Sequence, residues 1–416
     1  MKNKNNATVA KKLVRRAYEF GLMVPLTKDA PYLDSFIATT KTSCDKPNLI
    51  LFASFEPGFD FITQNSSYLK EKFNLFKIFT NTVMEDAQTE NFKAVVSIKR
   101  DFDALAKILQ TANYALSVVA NIGLYYHWYV PFFKLNSNKP VVCIDKDMTT
   151  SVHCEDLEIL KLSFDGSMER AVFERDCEEY MIDSCDGLIT NLGGEFFRDT
   201  VEKRAKNAFF YMPLRDRRFY KFQNKNSVES PIKLCYAGTL VPLSYGDKFG
   251  SEGIMYDILA DMDLRSFSVD LYPADADSDL GCYEELANVS IKKTMKIYDL
   301  LATIQGCDFG VILNDFRRID EKLVKPRKYL FPTKIFTYLS AGLPIIINKE
   351  YEAANEFLLS NGVAIAVGLD ELGRLHEIIR ECDYAAMKKN VAKFQENYSL
   401  QTKQRELGDF LLRCIS

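Results

Sequence analysis

The sequence has few of the residues that mark several specialised protein classes. Its 416 residues include three histidines, one tryptophan, 19 glycines and 13 prolines. So little glycine and proline argues against a fibrous or low-complexity chain, and three histidines argue against a zinc-rich one. The ten cysteines include no C-x-x-C pair. We therefore expect mostly reduced, buried cysteines, as is typical of a cytoplasmic protein.

Composition also limits the class of protein. Apolar residues make up 47% of the chain, aromatic residues 12% and charged residues 26%, which excludes wholesale disorder. The formal charge is −4 and the isoelectric point is about 5.7. General nucleic-acid binders are usually basic, so no nucleic-acid partner is expected. The length predicts two or three domains.

Three features of the sequence bear on whether the protein contacts a membrane. The N-terminus lacks the apolar stretch of a signal peptide. Residues 108–133 contain no charge, but Asn113, Asn121 and Pro131 interrupt them, so we favour a buried strand at 114–120 and an aromatic loop over a transmembrane helix. Residues 1–20 predict a basic amphipathic helix, which is either docked with a solvated face or in contact with anionic lipid. We expect a cytoplasmic protein with peripheral contact at the inner membrane.

Apolar runs that alternate with helical patterns predict an α/β fold with parallel sheets. The first series of strands is predicted at 48–55, 73–83, 93–98, 114–120, 139–145, 187–190 and 207–213. The second series is predicted at 232–238, 267–273, 308–315, 343–348 and 362–368. Two successive doubly wound domains follow from this pattern.

The polar, basic stretch 215–230 is the best linker in the chain. It predicts an N-terminal domain at 1–214 and a second domain at 231–385, with the helical tail 386–416 packing back on the first. Ligands of doubly wound sheets bind beyond the carboxyl ends of the strands, so two facing domains would form a cleft.

The most informative motif is FPTKIFTYLSAGLPIIIN at 331–348. Pro332 and Thr333 precede a predicted helix whose N-terminus can hold an anion, and Lys334 in its first turn can add a point charge. Without other information, the same residues also describe an ordinary helix, a glycine cap and a buried strand.

This segment resembles the P-[ST]-K-x-x-E-Y-x-x-A-G-x-P-V-I motif of bacterial GT-B glycosyltransferases, especially glycosyltransferase family four ("group 1"). The matching residues are Pro332, Thr333, Lys334, Tyr338, Ala341, Gly342 and Pro344. The resemblance implies two Rossmann-like domains facing across a cleft, with this segment at the nucleotide-sugar donor. The family's usual glutamate before the tyrosine is Thr337 here, and Tyr329 replaces a second family glutamate.

Other segments extend the resemblance over about residues 45–416. KLCYAGTL at 233–240 is similar to the family's first donor-domain strand and glycine loop, where Gly238 would allow close approach and the Thr239 amide would contact phosphate. An ordinary strand-to-loop turn is the alternative for these residues. The basic stretch 317–334 is either a solvated loop or a cationic wall beside the donor, to which Lys325 and Arg327 would contribute. Asn314 would line the same pocket.

The N-terminal domain should hold the acceptor. By resemblance, Glu56 would be a general base, and Asp145 or His153 a catalytic or sugar-contacting residue. A surface carboxylate is the alternative for Glu56. The role of His127 stays open between a core histidine and an acceptor contact.

The resemblance implies a glycosyltransferase that uses a nucleotide-sugar donor and a glycan or lipid-linked acceptor in bacterial surface polysaccharide or lipopolysaccharide biosynthesis. No cofactor or metal is expected, because no D-x-D follows a lone N-terminal nucleotide-binding domain, as it does in metal-dependent GT-A enzymes, and the aspartates at 275–279 lack a calcium-loop glutamate. The alternative is a non-catalytic GT-B-like protein that binds a partner or glycan, since the family's glutamates are missing.

Overall fold

The computed structural model describes residues 2–23, 31–53, 60–80, 89–98, 101–121, 126–145, 157–194, 197–211, 214–215, 227–240, 255–274, 280–318 and 328–416. The chain divides into two compact units. The first contains Met1–Leu192, Phe196–Tyr211 and Gln404–Ser416, and the second contains Gly193–Glu195 and Met212–Lys403. The predicted linker at 215–230 lies largely outside the described residues.

Two parallel sheets form the framework of the units. The strands are β1 (Asn48–Ala53), β2 (Asn74–Phe79), β3 (Ala94–Ser97), β4 (Leu116–Asn121), β5 (Val141–Asp145), β6 (Gly187–Thr190), β7 (Ala208–Phe210), β8 (Ile232–Gly238), β9 (Phe267–Pro273), β10 (Val289–Ile291), β11 (Phe309–Ile312), β12 (Ile345–Asn348) and β13 (Ala364–Val367). The first sheet has the order β3-β2-β1-β4-β5-β6-β7, and the second has the order β10-β9-β8-β11-β12-β13. Both orders reverse direction once, which is the doubly wound arrangement predicted from the sequence.

Helices cover the faces of these sheets. They are α1 (Lys2–Glu19), α2 (Pro31–Thr42), α3 (Asp60–Lys72), α4 (Phe102–Thr111), α5 (Tyr129–Asn136), α6 (Leu157–Leu160), α7 (Met168–Ser184), α8 (Glu202–Arg204), α9 (Tyr256–Asp261), α10 (Gly281–Glu284), α11 (Ile297–Ile304), α12 (Lys334–Ser340), α13 (Glu352–Ser360), α14 (Leu375–Glu381), α15 (Tyr384–Asn397) and α16 (Leu400–Ile415). The tail predicted as helical forms α15 and α16. α15 lies in the second unit, whereas α16 belongs to the first unit from Gln404 onward.

The strands are apolar because they are covered on both faces. All six residues of β1 are buried. Leu49 and Leu51 join a core that includes Phe410 of α16, while Ile50 and Phe52 join a second core formed with α1, α2, α4 and α5. Alternate residues of a strand point to opposite faces, so a parallel strand between two helical layers needs an unbroken apolar run.

The prediction of an aromatic loop after β4 is wrong in part. Residues from Tyr129 onward form α5, and Trp128, Tyr129 and Phe132 are buried in the first unit. Pro131 is the third residue of the helix, in its first turn, where a missing backbone N–H costs nothing, so it does not break the helix. These aromatic side chains belong to a protein core and cannot contact lipid from there. None of the helices formed by described residues is long and apolar enough to cross a membrane.

The predicted basic helix at the N-terminus is α1, and it is docked. Ala10, Leu13 and Ala17 are buried, whereas Lys12 and Arg15 lie on the exposed side. The buried positions recur at a spacing of three or four residues, as expected for one apolar face of an amphipathic helix.

Candidate functional site

The strand order of the second sheet reverses between β8 and β11. From β8 the chain proceeds to β9 and β10 on one side, whereas β11 is followed by β12 and β13 on the other. Ligands of doubly wound sheets bind outside the carboxyl ends of the strands at such a reversal. Gly238 ends β8, Asn314 follows the end of β11 and Lys334 begins α12. Three predicted donor-binding residues therefore lie on elements that border this point.

Lys334 and Gly238 are in direct contact. A β-carbon added to Gly238 would lie 2.4 Å from Cε of Lys334 and 3.1 Å from its Nζ. The φ angle of Gly238 is 154°, which residues with a side chain rarely adopt. Both the backbone angle and the available space therefore favour glycine, and its bare backbone lets the lysine side chain lie across the end of β8.

Tyr236 forms the other part of the surface beneath Lys334. The Lys334 Nζ lies 4.9 Å from the centre of the Tyr236 ring, a distance at which a cation is attracted to an aromatic face. The Tyr236 ring is buried, and its hydroxyl donates a 2.8 Å hydrogen bond to the carbonyl of Thr239. One side chain therefore contacts both the lysine and the loop that follows Gly238.

Tyr338 fixes α12 to the sheet one turn after Lys334. Its hydroxyl accepts the backbone N–H of Ala237 at 2.8 Å and donates to the carbonyl of Val311 at 3.1 Å, which joins β8 to β11. The ring occupies the space above Gly310, where an added β-carbon would lie 2.1 Å from it. Burial raises the pKa of the Tyr338 hydroxyl well above its ordinary value, so the group stays protonated and can donate.

The other end of α12 is held by α15. The side-chain amide of Gln395 donates to the carbonyls of Leu339 at 2.6 Å and Ser340 at 3.2 Å. The Lys388 Nζ donates to the carbonyl of Gly342 at 2.5 Å. The last carbonyls of a helix lack partners within it, so these bonds satisfy groups that would otherwise be unpaired. The helix that carries Lys334 is thus anchored at its middle and at its end.

Asn314 takes part in a separate network at the same sheet edge. Its backbone N–H donates to Oδ1 of Asn348 at 2.6 Å, and its side-chain amide donates to the hydroxyl of Tyr351. All three residues are buried. The backbone of Asn314 therefore bonds to the end of β12, and its side chain bonds to Tyr351 just before α13.

The remaining predicted donor residues have different positions. Pro332 is half-buried and Thr333 is exposed immediately before α12, and the Thr333 side chain makes no capping hydrogen bond. Thr239 is exposed after β8. Lys325 and Arg327 lie outside the described residues.

Arg317, at the start of the basic stretch, is held by two carboxylates. Its guanidinium donates to Asp261 at 2.7 Å and to Asp315 at 2.8 Å. These three residues line a cavity of about 260 Å³ together with Asp257 and Ala260. The three acidic side chains outnumber the one arginine, so this cavity does not suit a diphosphate. No group of three or more His, Cys, Asp or Glu side chains that could hold a metal ion occurs within the described part of the chain.

In the first unit, Asp145 is paired with His127. The Nε2 of His127 lies 2.8 Å from Oδ2 of Asp145, and both side chains are fully buried. Asp145 ends β5, and His127 stands shortly before α5. His127 is thus a core histidine, the first of the two roles left open by the sequence. Glu56 and His153 lie outside the described residues.

Further carboxylates surround this pair. Burial alone disfavours the imidazolium, but the carboxylates of Asp145, Glu178 and Glu174 outweigh it and raise the pKa of His127 to about 9. Both glutamates are buried on α7, where Arg170 pairs with Glu174 at 2.5 Å. His127 is therefore a cation at neutral pH, and Asp145 is its partner.

Sequence reasoning missed Tyr236. Tyr236 and Gly238 are two residues apart on β8, so they point to the same face of the sheet. That relation is readable from the sequence. The approach of Lys334 to this face depends on how α12 packs against β8. No local pattern in the sequence predicts that packing.

The second unit matches a known protein family in sequence, and most of the chain resembles solved structures in fold. Residues 250–401 match the family model described as glucosyltransferase 3-like, C-terminal domain. The matched range includes α12 and Lys334 and begins after Gly238. No curated protein sequence matches the chain significantly.

Several solved structures are similar over most of the chain. HepE from Anabaena, in complex with UDP and glucose, is 16% identical with a TM-score of 0.57, over 88% of this chain and 99% of that one. WaaG, a glycosyltransferase involved in lipopolysaccharide biosynthesis, is 13% identical with a TM-score of 0.52, over 87% and 99%. A variant of the Thermobaculum terrenum O-GlcNAc transferase is 12% identical with a TM-score of 0.55, over 94% and 70%.

At these identities the likeness concerns the fold. The chain has two parallel doubly wound sheets and the GT-B fold of glycosyltransferases, as the sequence predicted. The resemblance to glycosyltransferase family four in particular stays a prediction.

Proposed function

We propose that the protein is a glycosyltransferase that transfers a sugar from a nucleotide-sugar donor to a hydroxyl of a glycan or lipid-linked acceptor. The observation that carries this proposal is the position of Lys334, whose side chain lies across Gly238 where the strand order of the second sheet reverses. A cation at the carboxyl ends of β8 and β11 is suited to a phosphate group of a bound nucleotide.

In this proposal the domain at 231–385 binds the donor. Negative charge grows on the departing nucleoside diphosphate as the bond to the sugar breaks, and the Lys334 ammonium stabilises that charge. Gly238, Thr239, Asn314, Lys325, Arg327, Pro332 and Thr333 are the other donor-binding candidates. HepE was crystallised with UDP-glucose, and the matching family model is named for a glucosyltransferase, which makes UDP-glucose the first donor to test.

The domain at 1–214 binds the acceptor in the same proposal. Of the tail predicted to pack back on it, the part from Gln404 onward belongs to the first unit, whereas α15 belongs to the second. Glu56, Asp145 and His153 are the candidates for activating the attacking hydroxyl. Asp145 could accept a proton only after its bond to His127 is exchanged, because the pair is fully buried. We propose a reaction that requires no metal.

The proposed pathway is bacterial surface polysaccharide or lipopolysaccharide biosynthesis, on the cytoplasmic side. WaaG, which shares the fold, acts in lipopolysaccharide biosynthesis. Exposed Lys11, Lys12 and Arg15 of α1 would supply weak, salt-sensitive contact with anionic lipid.

A thermal-shift screen with UDP, GDP, CMP, ADP and dTDP tests the donor assignment. A ligand that binds only the folded protein stabilises it by about 2.7 kcal/mol at a concentration of 100 times its dissociation constant. We expect UDP to raise the melting temperature most. If none of the five nucleotides raises it, the proposed donor site is contradicted.

The non-catalytic alternative has one observation in its favour, since Asp145 is committed to His127. Release of UDP from UDP-glucose, with and without a glycan acceptor, separates the two functions. Binding without any release would favour the non-catalytic protein.

A further inference from the structure

We propose that Tyr236 is a positioning residue for the donor. Its ring holds the ammonium group of Lys334 at the place where the donor diphosphate binds, and its hydroxyl holds the adjoining Thr239 loop. The inference rests on the proposed donor-binding function, and it adds to that function a residue that the sequence motif does not contain.

The ammonium group of Lys334 lies over the ring of Tyr236. The Lys334 Nζ lies 4.9 Å from the ring centre, and the ring itself is 1% exposed. The attraction between a cation and an aromatic face strengthens when the groups are removed from water. The half-buried Lys334 is therefore held more firmly than a surface lysine would be.

Neighbouring contacts also restrict the positions that the Lys334 side chain can adopt. Gly238 offers bare backbone beneath Cε of Lys334, where any side chain would collide. Tyr338 ties α12 to Ala237, which lies between the two residues that contact the lysine. The base and the tip of the Lys334 side chain are thus both fixed relative to β8.

Preorganisation of this kind affects ligand binding directly. A long, flexible lysine side chain normally loses rotamer freedom when it binds a phosphate. An ammonium group that already rests on Tyr236 loses less, so the same ionic contact gives a higher affinity. The hydroxyl contributes separately, because its bond to the Thr239 carbonyl holds the backbone of Thr239 rather than the lysine.

A double-mutant cycle tests this coupling in the full chain, with UDP affinity measured by isothermal titration calorimetry. The variants are Tyr236→Leu, Lys334→Met and the combination of both. Loss of the cation–π contact should weaken UDP binding about five- to tenfold in Tyr236→Leu. Lys334→Met should weaken it more. Adding Tyr236→Leu to Lys334→Met should cost no more than Tyr236→Phe costs alone, because the ring acts through the lysine and only the hydroxyl acts apart from it. Tyr236→Phe keeps the ring and should stay within about threefold of the wild type.

A second series keeps the shape of the side chain. Starting from Tyr236→Phe, one, two or three hydrogen atoms of the phenyl ring are replaced by fluorine, which progressively weakens the negative face of the ring. UDP affinity should fall stepwise in this series and stay constant when the same series is made in the Lys334→Met background. A purely structural role of the ring would not follow the fluorine count.

The outcomes separate the two proposals. Suppose that UDP affinity is equal across the fluorinated series while Lys334→Met weakens UDP binding as expected. That result would overturn the role of Tyr236 and leave the donor site intact. Equal affinity of the wild type and Lys334→Met would overturn the donor site itself. If Tyr236→Leu fails to fold, the fluorinated series decides.

Discussion

The side chain of Lys334 occupies the space that a side chain on Gly238 would need. Its Cε lies 2.4 Å from the position of a β-carbon on that glycine. The two residues come from α12 and from the end of β8, so the contact exists only in the folded second unit. The glycine of the strand-to-loop turn and the lysine of the 331–348 motif therefore belong to one site.

Gly238→Ala should displace Lys334 and weaken nucleotide binding about tenfold or more, a loss of at least ~1.4 kcal/mol. The clash is with the flexible end of a lysine, so the fold should survive with a cost on the order of 1 kcal/mol from backbone strain. UDP titration and urea unfolding of the same variant measure the two effects.

Gly306→Ala is the matched control in the same unit. The nearest atom to its added β-carbon is the Thr303 carbonyl oxygen at 3.7 Å, an ordinary contact. UDP affinity should be unchanged in this variant. If Gly238→Ala also retains wild-type affinity, the contact with Lys334 has no part in binding.

Tyr338→Phe should destabilise the second unit by about 1–3 kcal/mol, because it leaves two buried backbone groups unpaired. These groups are the Ala237 N–H and the Val311 carbonyl, which the hydroxyl joins. Tyr256→Phe, at a half-buried tyrosine of α9, should change the free energy of unfolding by less than about 0.5 kcal/mol. Equal stabilities of the two variants in urea would argue against a link through the Tyr338 hydroxyl.

His127 should make stability depend on pH. Its pKa of about 9 in the folded protein lies above the ordinary value of 6.5, so its stabilising effect is fully present below pH 6.5 and is lost as the pH rises through 9. The stability difference between the wild type and His127→Gln should fall by roughly 2–3 kcal/mol between pH 6 and pH 9.5. Asp145→Asn should remove most of this dependence, because Asp145 is the nearest carboxylate to the ring.

Urea unfolding at several pH values provides this measurement. Glu174 and Glu178 also face His127, so a remnant of the pH dependence should persist in Asp145→Asn. A constant difference between wild type and His127→Gln over the whole range would contradict a charged histidine in this core.

Parallel strands were the most predictable elements. β6, β8 and β9 have the predicted bounds, because each is a short apolar run that begins and ends at turn residues and is buried between helical layers. α5 was not predictable in the same way. Its first five residues, 129–133, are all apolar and buried, and such a run has no helical period to distinguish it from a loop or strand of the core.

The sequence predicted which residues belong to the candidate site, but it did not predict which of them are in contact. The motif at 331–348 and the glycine turn at 238 identify Lys334 and Gly238 separately. Their contact, and the place of Tyr236 beneath the lysine, depend on the packing of α12 against β8. The pairing of Asp145 with His127 likewise joins the end of β5 to a residue just before α5, which a single sequence does not reveal.

The turnover of Lys334→Ala is the most direct test of the proposed donor site. The substrate is the nucleotide sugar whose nucleoside diphosphate gives the largest thermal shift, and release of that diphosphate is followed. Turnover should fall by roughly a hundredfold, from a loss of about 3 kcal/mol of transition-state stabilisation, with little change in melting temperature. Lys334→Arg should restore only part of the rate, and Lys293→Ala, at an exposed lysine of the same unit, should behave like the wild type. Near-normal turnover in Lys334→Ala would contradict the placement of the donor diphosphate beside Gly238.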